Sequence, residues 1–320
     1  MLALPDHWVW DFWLADDDGQ FHLFFLKAPR SLGNPDQRHW NVTVGHAVSA
    51  DLCNWEVVAD VLRPSAGPAF DDRATWTGSV VRDANGTWRM FYTGAGSSEN
   101  GLKQRVGMAT SPDLFTWQRE PGPAACEADG RWYEQLPDIL WHDEAWRDPW
   151  VFRDTSDDGW HMLVTARAAH GAGDNRGVIG HARSNDLVTW EVTPPITDAG
   201  SGFGHLEVPQ VEIVDGRPVL IFSCLGSELA GDRPGEGGVW LALGESPLGP
   251  FDIAGARRLT DESLYSGRII QDRSGQWVML AFRNTDDSGH FLGEITDPIP
   301  FALEDDAELG LSPPLTETGA

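Results

Sequence analysis

Five stretches of this chain share one pattern, a glycine turn followed by aromatic and aliphatic residues that alternate with others. They read GQFHLFFLKA from Gly19, GTWRMFYTGA from Gly86, GWHMLVTARA from Gly159, GRPVLIFSCL from Gly216 and GQWVMLAFRN from Gly275. Alternation of this kind, rich in β-branched and aromatic residues, predicts strands, and the leading glycine predicts a hairpin turn. A shorter strand lies upstream of each: VWDFWLAD, TWTGSVVRD, WRDPWVFRD, HLEVPQVEIVD and YSGRIIQD. Downstream runs a second motif, GHAVSADLCNWE from Gly45, GMATSPDLFTWQ from Gly107 and GHARSNDLVTWE from Gly180, with a degenerate copy, LALGESPLGPFD, from Leu241. Each is a strand, a Ser-x-Asp-Leu turn and a further strand opening on an aromatic residue. The unit is four strands in roughly 60 to 70 residues, and repetition of such a unit predicts a β-propeller.

Five units occupy the chain from Trp8 to about Pro300. The expected fold is all-β, a five-bladed β-propeller in one domain over residues 1–320. No C-terminal β-sandwich is expected, and 301–320 reads as a tail or closing segment. A doubly wound α/β fold is disfavoured because no long segment has helical periodicity. The net charge of −26 argues against nucleic acid and against anionic membrane surfaces as partners. Cys53, Cys126 and Cys224 are widely spaced and odd in number, which indicates neither a zinc site nor a disulfide framework. No basic-then-apolar leader opens the chain and no apolar run reaches membrane-spanning length, so a cytoplasmic location is expected. No cofactor or metal is called for, and the oligomeric state is left open. The histidines lack metal-ligand spacing; His46 and His181, inside repeat motifs, are read as structural.

In a propeller the first strand of each blade lines a central channel. Counting back from the hairpin glycines aligns Asp11, Gly78, Asp148, Glu207 and Gly267 at one level. Carboxylates then stand in blades one, three and four. A carboxylate within an apolar, tryptophan-rich strand is costly unless paired or used. One such residue reads equally well as a turn or ion-pair residue; three at matching positions point to one shared site. Three carboxylates suit glycoside hydrolysis: one acid protonates the leaving oxygen, a second carboxylate acts on the opposite face of the ring, and a third holds hydroxyls and stabilises positive charge. Arg147 can orient the third, and tryptophan faces can stack on a sugar.

At these residues the chain resembles the fructoside-active glycoside hydrolase families 32 and 68, which form clan J. Trp8-Val-Trp-Asp11 is similar to the Trp-Met-Asn-Asp block of family 32 invertases, and Val9-Trp-Asp-Phe-Trp13 to the Val-Trp-Asp-Ser-Trp block of family 68 levansucrases. Gly45-His-Ala-Val-Ser-Ala-Asp-Leu with Trp55 resembles a structural motif of family 32. Trp76-Thr-Gly-Ser79 resembles a sugar-binding segment, Arg147-Asp-Pro149 the Arg-Asp-Pro motif, and His205-Leu-Glu-Val-Pro209 the acid/base segment. The resemblance covers about residues 8–300 in the right order. It implies that Asp11 is the nucleophile, Asp148 the transition-state stabiliser and Glu207 the acid/base. It also implies that Trp76, Thr77 and Ser79 bind the sugar; beside it, the residues themselves offer Arg147 as a donor to hydroxyls, Trp10 as a stacking face, and His205, two places before Glu207, and Tyr265, near the blade-five position, as further substrate contacts. The activity implied is retaining hydrolysis of β-fructofuranosides such as sucrose or fructans through a covalent fructosyl-enzyme, with transfructosylation as a side reaction. Two alternatives stay open: an inverting arabinosidase or xylosidase like those of family 43, and a non-catalytic carbohydrate-binding propeller.

Overall fold

A computed structural model describes residues 1–154, 159–231, 233, 235–286 and 288–303. They form five four-stranded antiparallel sheets, each a meander running outward from its first strand, the fifth with a divided third strand. Blade one comprises β1 (His7–Asp16), β2 (Phe21–Pro29), β3 (Thr43–Ser49) and β4 (Glu56–Val57). Blade two comprises β5 (Ala74–Arg82), β6 (Trp88–Ala95), β7 (Gln104–Ser111) and β8 (Gln118–Arg119). Blade three comprises β9 (Trp146–Arg153), β10 (Trp160–Arg167), β11 (Gly177–Ser184) and β12 (Glu191–Thr193). Blade four comprises β13 (Glu207–Val214), β14 (Arg217–Cys224), β15 (Gly238–Leu243) and β16 (Arg257–Arg258). Blade five comprises β17 (Leu264–Gln271), β18 (Trp277–Thr285), β19 (Phe291–Ile295) and β20 (Ile299–Pro300). The inner strands pack in sequence, β1 on β5, β5 on β9, β9 on β13, β13 on β17 and β17 on β1, which closes a ring. The chain has the five-bladed all-β propeller expected from its repeats. Among the described residues no helix is long and apolar enough to cross a membrane.

The repeat motifs have a physical basis. In each Ser-x-Asp-Leu turn the aspartate folds back onto the amides that follow. Asp51 accepts from the N–H groups of Cys53 and Asn54 at 2.9 and 2.8 Å. Asp113 and Asp186 do the same with Phe115 and Thr116 and with Val188 and Thr189. The leucine takes a positive φ, 64° at Leu52, 66° at Leu114 and 63° at Leu187, and is buried each time. A β-hairpin corner thus plants one apolar side chain between blades. His46 and His181 are structural, as expected: each ring is buried and pairs at 3.0 Å with a histidine of the neighbouring strand, His22 and His161 respectively.

Both ends of the described chain pack on blade five. Leu2 exchanges two backbone hydrogen bonds of 2.9 Å with Ile295 on β19, so the N-terminal residues form the outer rung of blade five. On the C-terminal side, β20 returns along β18 and buries Phe301. The rest of the expected tail, from residue 304, lies outside the described residues.

Every inner strand carries one extra residue at the same level. Pairing slips between Trp10 and Phe12 in β1, between Trp76 and Gly78 in β5, and between Arg147 and Trp150 in β9. It slips again between Glu207 and Gln210 in β13 and between Tyr265 and Arg268 in β17. Such bulges re-aim side chains and raise local twist. In blades three to five the bulge includes a non-glycine residue in the left-handed region, Asp148, Val208 and Ser266, with φ of 58°, 52° and 50°. This corrects the alignment made by counting from the hairpins. The bulge residues are Asp11, Thr77, Asp148, Val208 and Ser266, and the paired residues before them are Trp10, Trp76, Arg147, Glu207 and Tyr265. Gly78 and Gly267 lie one place beyond. A methyl group at Gly78 would overlap the carbonyl oxygen of Phe91 on β6, which is why no side chain stands there. Gly78→Ala is therefore expected to lower unfolding stability by about 1–3 kcal/mol through overpacking. Urea unfolding checks this, and an unchanged midpoint would mean the strands separate freely at that point.

Candidate active site

The bulges line one mouth of the channel, where a pocket of about 410 Å³ opens. That volume suits a sugar-sized ligand. Asp11, Asp148 and Glu207 all line it, together with Trp10, Trp76, Thr77, Arg147 and Tyr265. Three carboxylates far apart in the chain thus share one cavity.

Asp11 is held from two blades. Ser266 Oγ donates to Oδ1 at 2.6 Å, and Thr77 Oγ1 donates to Oδ2 at 3.0 Å. Both donors come from the bulges, which no residue count had assigned to Ser266. Asp148 is more enclosed. Its N–H donates to Thr93 Oγ1 at 2.8 Å, and its Oδ2 accepts from Thr165 Oγ1 at 2.8 Å and the Val208 N–H at 3.3 Å. Glu207 accepts from Arg147 Nη2 on Oε1 and from the Tyr265 hydroxyl on Oε2, both at 2.5 Å. Arg147 Nε also lies 3.5 Å from Asp148, so one guanidinium bridges two of the three acids.

Burial, then the charge of Glu207, raise the pKa of Asp11, while its hydrogen bonds to Ser266 and Thr77 and the charge of Arg38 oppose the rise. Asp148 is pushed up to about 6 by burial and by Glu207 and Asp11, despite Arg147. The acids lie within each other's field, which separates their proton affinities. Burial works against the charge of Arg147, but Asp143, Glu207 and Asp148 outweigh it and raise its pKa. This cation stays charged.

Two residues expected to touch substrate do not line the pocket. Ser79 is buried, and its Oγ accepts from the Val151 N–H at 3.0 Å, tying β5 to β9. Two places beyond the bulge, it faces the blade interface. His205 has no exposed surface and lies behind Arg147, with Nδ1 3.0 Å from Nη2 and its ring against Trp141. It positions the arginine. His205, Glu207 and Glu228 have ligand-type atoms within 4.8 Å of one another, but Arg147 already bonds two of the three, so a cation occupies that spot.

Other wall residues escaped sequence reasoning. Arg38, His39 and Trp40 come from the 3-10 helix Pro35–Trp40, which rises from the β2–β3 connection. Arg38 lies over the rings of Trp10 and Phe291 at 5.6 and 4.1 Å. Trp76 Nε1 donates to the His39 carbonyl at 2.9 Å, fixing the indole in the wall. Asp143 and Glu228 also line the pocket. The length of the β2–β3 connection was the one available signal for the first group; Glu228 had none.

Comparison with known proteins agrees with this architecture. The chain is 28% identical over 290 residues to a sucrose-6-phosphate hydrolase of Zymomonas mobilis, covering 84% of this chain and 52% of that protein. It is 27% identical over 212 residues to an insoluble beta-fructofuranosidase isoenzyme of Arabidopsis thaliana, covering 64% and 32%. The chain therefore spans about half, or less, of the length of these curated relatives. Among solved structures, an inulosucrase from Halalkalicoccus jeotgali bound to kestose superposes with a TM-score of 0.80 at 22% identity, over 95% of this chain and 88% of that one. Bacillus subtilis levansucrase superposes with a TM-score of 0.72 at 17% identity, over 96% and 86%. These two likenesses establish a shared fold. The model of the glycosyl hydrolases family 32 N-terminal domain matches residues 13–290, and with that match across most of its length the chain belongs to glycosyl hydrolase family 32.

Proposed function

We propose that this chain is a retaining glycoside hydrolase that cleaves β-fructofuranosides, sucrose or short fructans, and passes the fructosyl group to other sugars as a side reaction. The observation that carries this is the convergence of Asp11, Asp148 and Glu207 on one sugar-sized pocket, with Arg147 bridging the last two. The names of the relatives, sucrose-6-phosphate hydrolase and beta-fructofuranosidase, support the same substrate class. Membership of family 32 favours it over the inverting alternative. Three cysteines, none of them in a disulfide, fit the cytoplasmic location that we keep as part of this reading.

In the first step an oxygen of Asp11 bonds to the anomeric carbon while the bond to the leaving oxygen breaks and Glu207 gives that oxygen its proton. Hydrogen bonds from Ser266 and Thr77 hold the Asp11 carboxylate in one orientation. Ionised Asp148 faces the positive charge that grows on the ring, its geometry fixed by Thr165 and the Val208 N–H. In the second step Glu207 takes a proton from water, which attacks the anomeric carbon and frees Asp11. A sugar hydroxyl in place of water gives transfer.

Asp11→Ala and Glu207→Ala are expected to lower fructose release from sucrose by roughly three orders of magnitude or more with the fold retained. Mass spectrometry with a slow fructoside should find the adduct on Asp11. Wild-type turnover in Asp11→Ala would sink the assignment, and a wild type that binds sugar without cleaving it would favour the non-catalytic reading. Asp148 sets an acid limit. Its folded pKa, about 6, lies above its ordinary 3.8. As pH falls through about 6, Asp148 gains a proton, so kcat/KM should decline there. The sign for stability is opposite: across that window the folded chain holds a proton that the unfolded chain has lost, so unfolding free energy falls as pH rises. Asp148→Asn should remove Asp148's share of that slope, to which Glu212 and Glu228, also raised by burial, contribute, while cutting the rate by about a hundredfold or more. Urea midpoints at pH 4 and pH 7 test the first half, and the pH–rate profile tests the second.

A further inference from the structure

We infer that Arg38 is the polar anchor for the sugar unit that Asp11 attacks: its Nη2 donates to hydroxyls of the fructosyl group, on a wall that is otherwise mostly aromatic and aliphatic, and so sets which glycosyl unit the pocket accepts. This deepens the fructosidase reading and rests on it.

Arg38 is held in place before any ligand arrives. The 3-10 helix Pro35–Trp40 opens on Asn34, whose side chain accepts from the Asp36 N–H at 2.9 Å. The far end of the helix is pinned where Trp76 Nε1 meets the His39 carbonyl. Within it, Arg38 Nη1 donates to the Pro35 carbonyl at 3.0 Å. The guanidinium lies 4.1 Å from the centre of the Phe291 ring and 5.6 Å from that of Trp10. Stacking and a local hydrogen bond thus order a side chain that otherwise carries much rotamer freedom, so less is lost when a ligand binds.

The same contacts leave donors free. Among the described residues Pro35 is the only acceptor within hydrogen-bond distance of Arg38, and Nη2 is left to the pocket that Arg38 lines. Arg147, the other arginine of the pocket, is committed to Gln104, His205 and Glu207. A partly enclosed N–H group without an acceptor is costly, and a hydroxyl oxygen removes that cost. The planar fork of a guanidinium also suits two neighbouring oxygens at once.

The neighbours of Arg38 give its side of the pocket. It lies over Trp10, the residue before Asp11, and the charges of Arg38 and Asp11 act on one another. Leu26, paired with Trp10, and Phe282, whose ring meets Phe291, also line the pocket here. Neither indole on this wall offers its N–H to a ligand: Trp10 Nε1 is buried, and Trp76 Nε1 is taken by His39. Burial, then the charges of Arg38 and Arg147, lowers the pKa of His39 to about 3, so that ring is uncharged. A furanose ring beside Asp11 can rest its C–H face on the apolar side chains, but its hydroxyls need polar partners. Arg38 is the uncommitted cation placed to serve them.

The test is a cycle of substrates and variants. kcat/KM is measured for sucrose, and for sucrose deoxygenated in turn at each fructosyl and each glucosyl hydroxyl, with wild type, Arg38→Met and Arg38→Lys. Methionine keeps contact with Phe291 and Trp10 without the charge, and lysine keeps the charge without the fork. In wild type, removal of at least one fructosyl hydroxyl should cost about tenfold or more. In Arg38→Met that penalty should shrink to about twofold or less, with Arg38→Lys between, while penalties at glucosyl hydroxyls stay as in wild type. A rate lost through the missing charge beside Asp11 falls on every substrate alike and cancels in these ratios. If no fructosyl penalty shrinks in either variant, or if the penalty that shrinks is glucosyl, the inference is overturned. If wild type cleaves no fructoside, the hydrolase reading fails instead. Calorimetric titration of fructose into wild type and Arg38→Met then decides the anchor by itself: affinity about tenfold or more weaker in the variant supports it, and equal or undetectable binding overturns it.

Discussion

The buried guanidinium of Arg147 is the interaction on which this site depends. It touches Glu207, approaches Asp148 and Asp143, and is backed by Gln104 and His205. Carboxylates drawn together away from water repel, and without a cation between them they would hold protons at neutral pH or force the mouth apart. Below them Arg268 plays a second part. It is fully buried on β17 and donates to the carbonyls of Phe12 and Pro209, next to the strand residues that carry Asp11 and Glu207. Burial lowers its pKa to about 10, which leaves it charged beneath Asp148 and Asp11. Two arginines thus make an acidic pocket tolerable inside a strongly acidic protein.

The bulges turn that electrostatic arrangement into geometry. A regular strand sends alternate residues to opposite faces, so five regular inner strands would present a smooth wall to the channel. One inserted residue per strand breaks the alternation at a single level. There the ring carries Asp11, Thr77, Asp148, Val208 and Ser266, and two of its members serve the nucleophile candidate directly. Local strain accompanies the insertion, since Asp148, Val208 and Ser266 adopt positive φ. Strained backbone at a functional site is held by the packing around it, here the five blades.

Much of this was legible in the sequence. Glycine-led alternation located the second strand of every blade, and the Ser-x-Asp-Leu turns located the corners, because both depend on local backbone chemistry. The three acids stood out because a carboxylate among tryptophans and prolines contradicts its surroundings. Each error took position along the chain for position in space. Counting residues from a hairpin presumes an unbroken ladder, so Gly78 and Gly267 were placed where Thr77 and Ser266 stand. Ser79 was read as a sugar contact through the likeness of its segment, and the slip at Thr77 turns it to the blade interface. His205 was read as a substrate contact from its nearness to Glu207 in the chain, whereas its neighbour in space is the back of Arg147.

Period, turn chemistry and the misfit of three acids were written in the sequence by itself, because each depends on residues within a few positions of one another. They determined a repeated four-stranded unit, its number, and the acids that its inner strands carry. Which side chains meet was decided only by the closed ring. Ser266 reaches Asp11 across 255 positions, and Leu2 seals blade five against Ile295. The loop residues Arg38 and Glu228 joined the pocket wall in the same way. Contacts between blades depend on where the ladder slips and how the ring closes, and both are set by packing of the whole molecule rather than by any local run of residues.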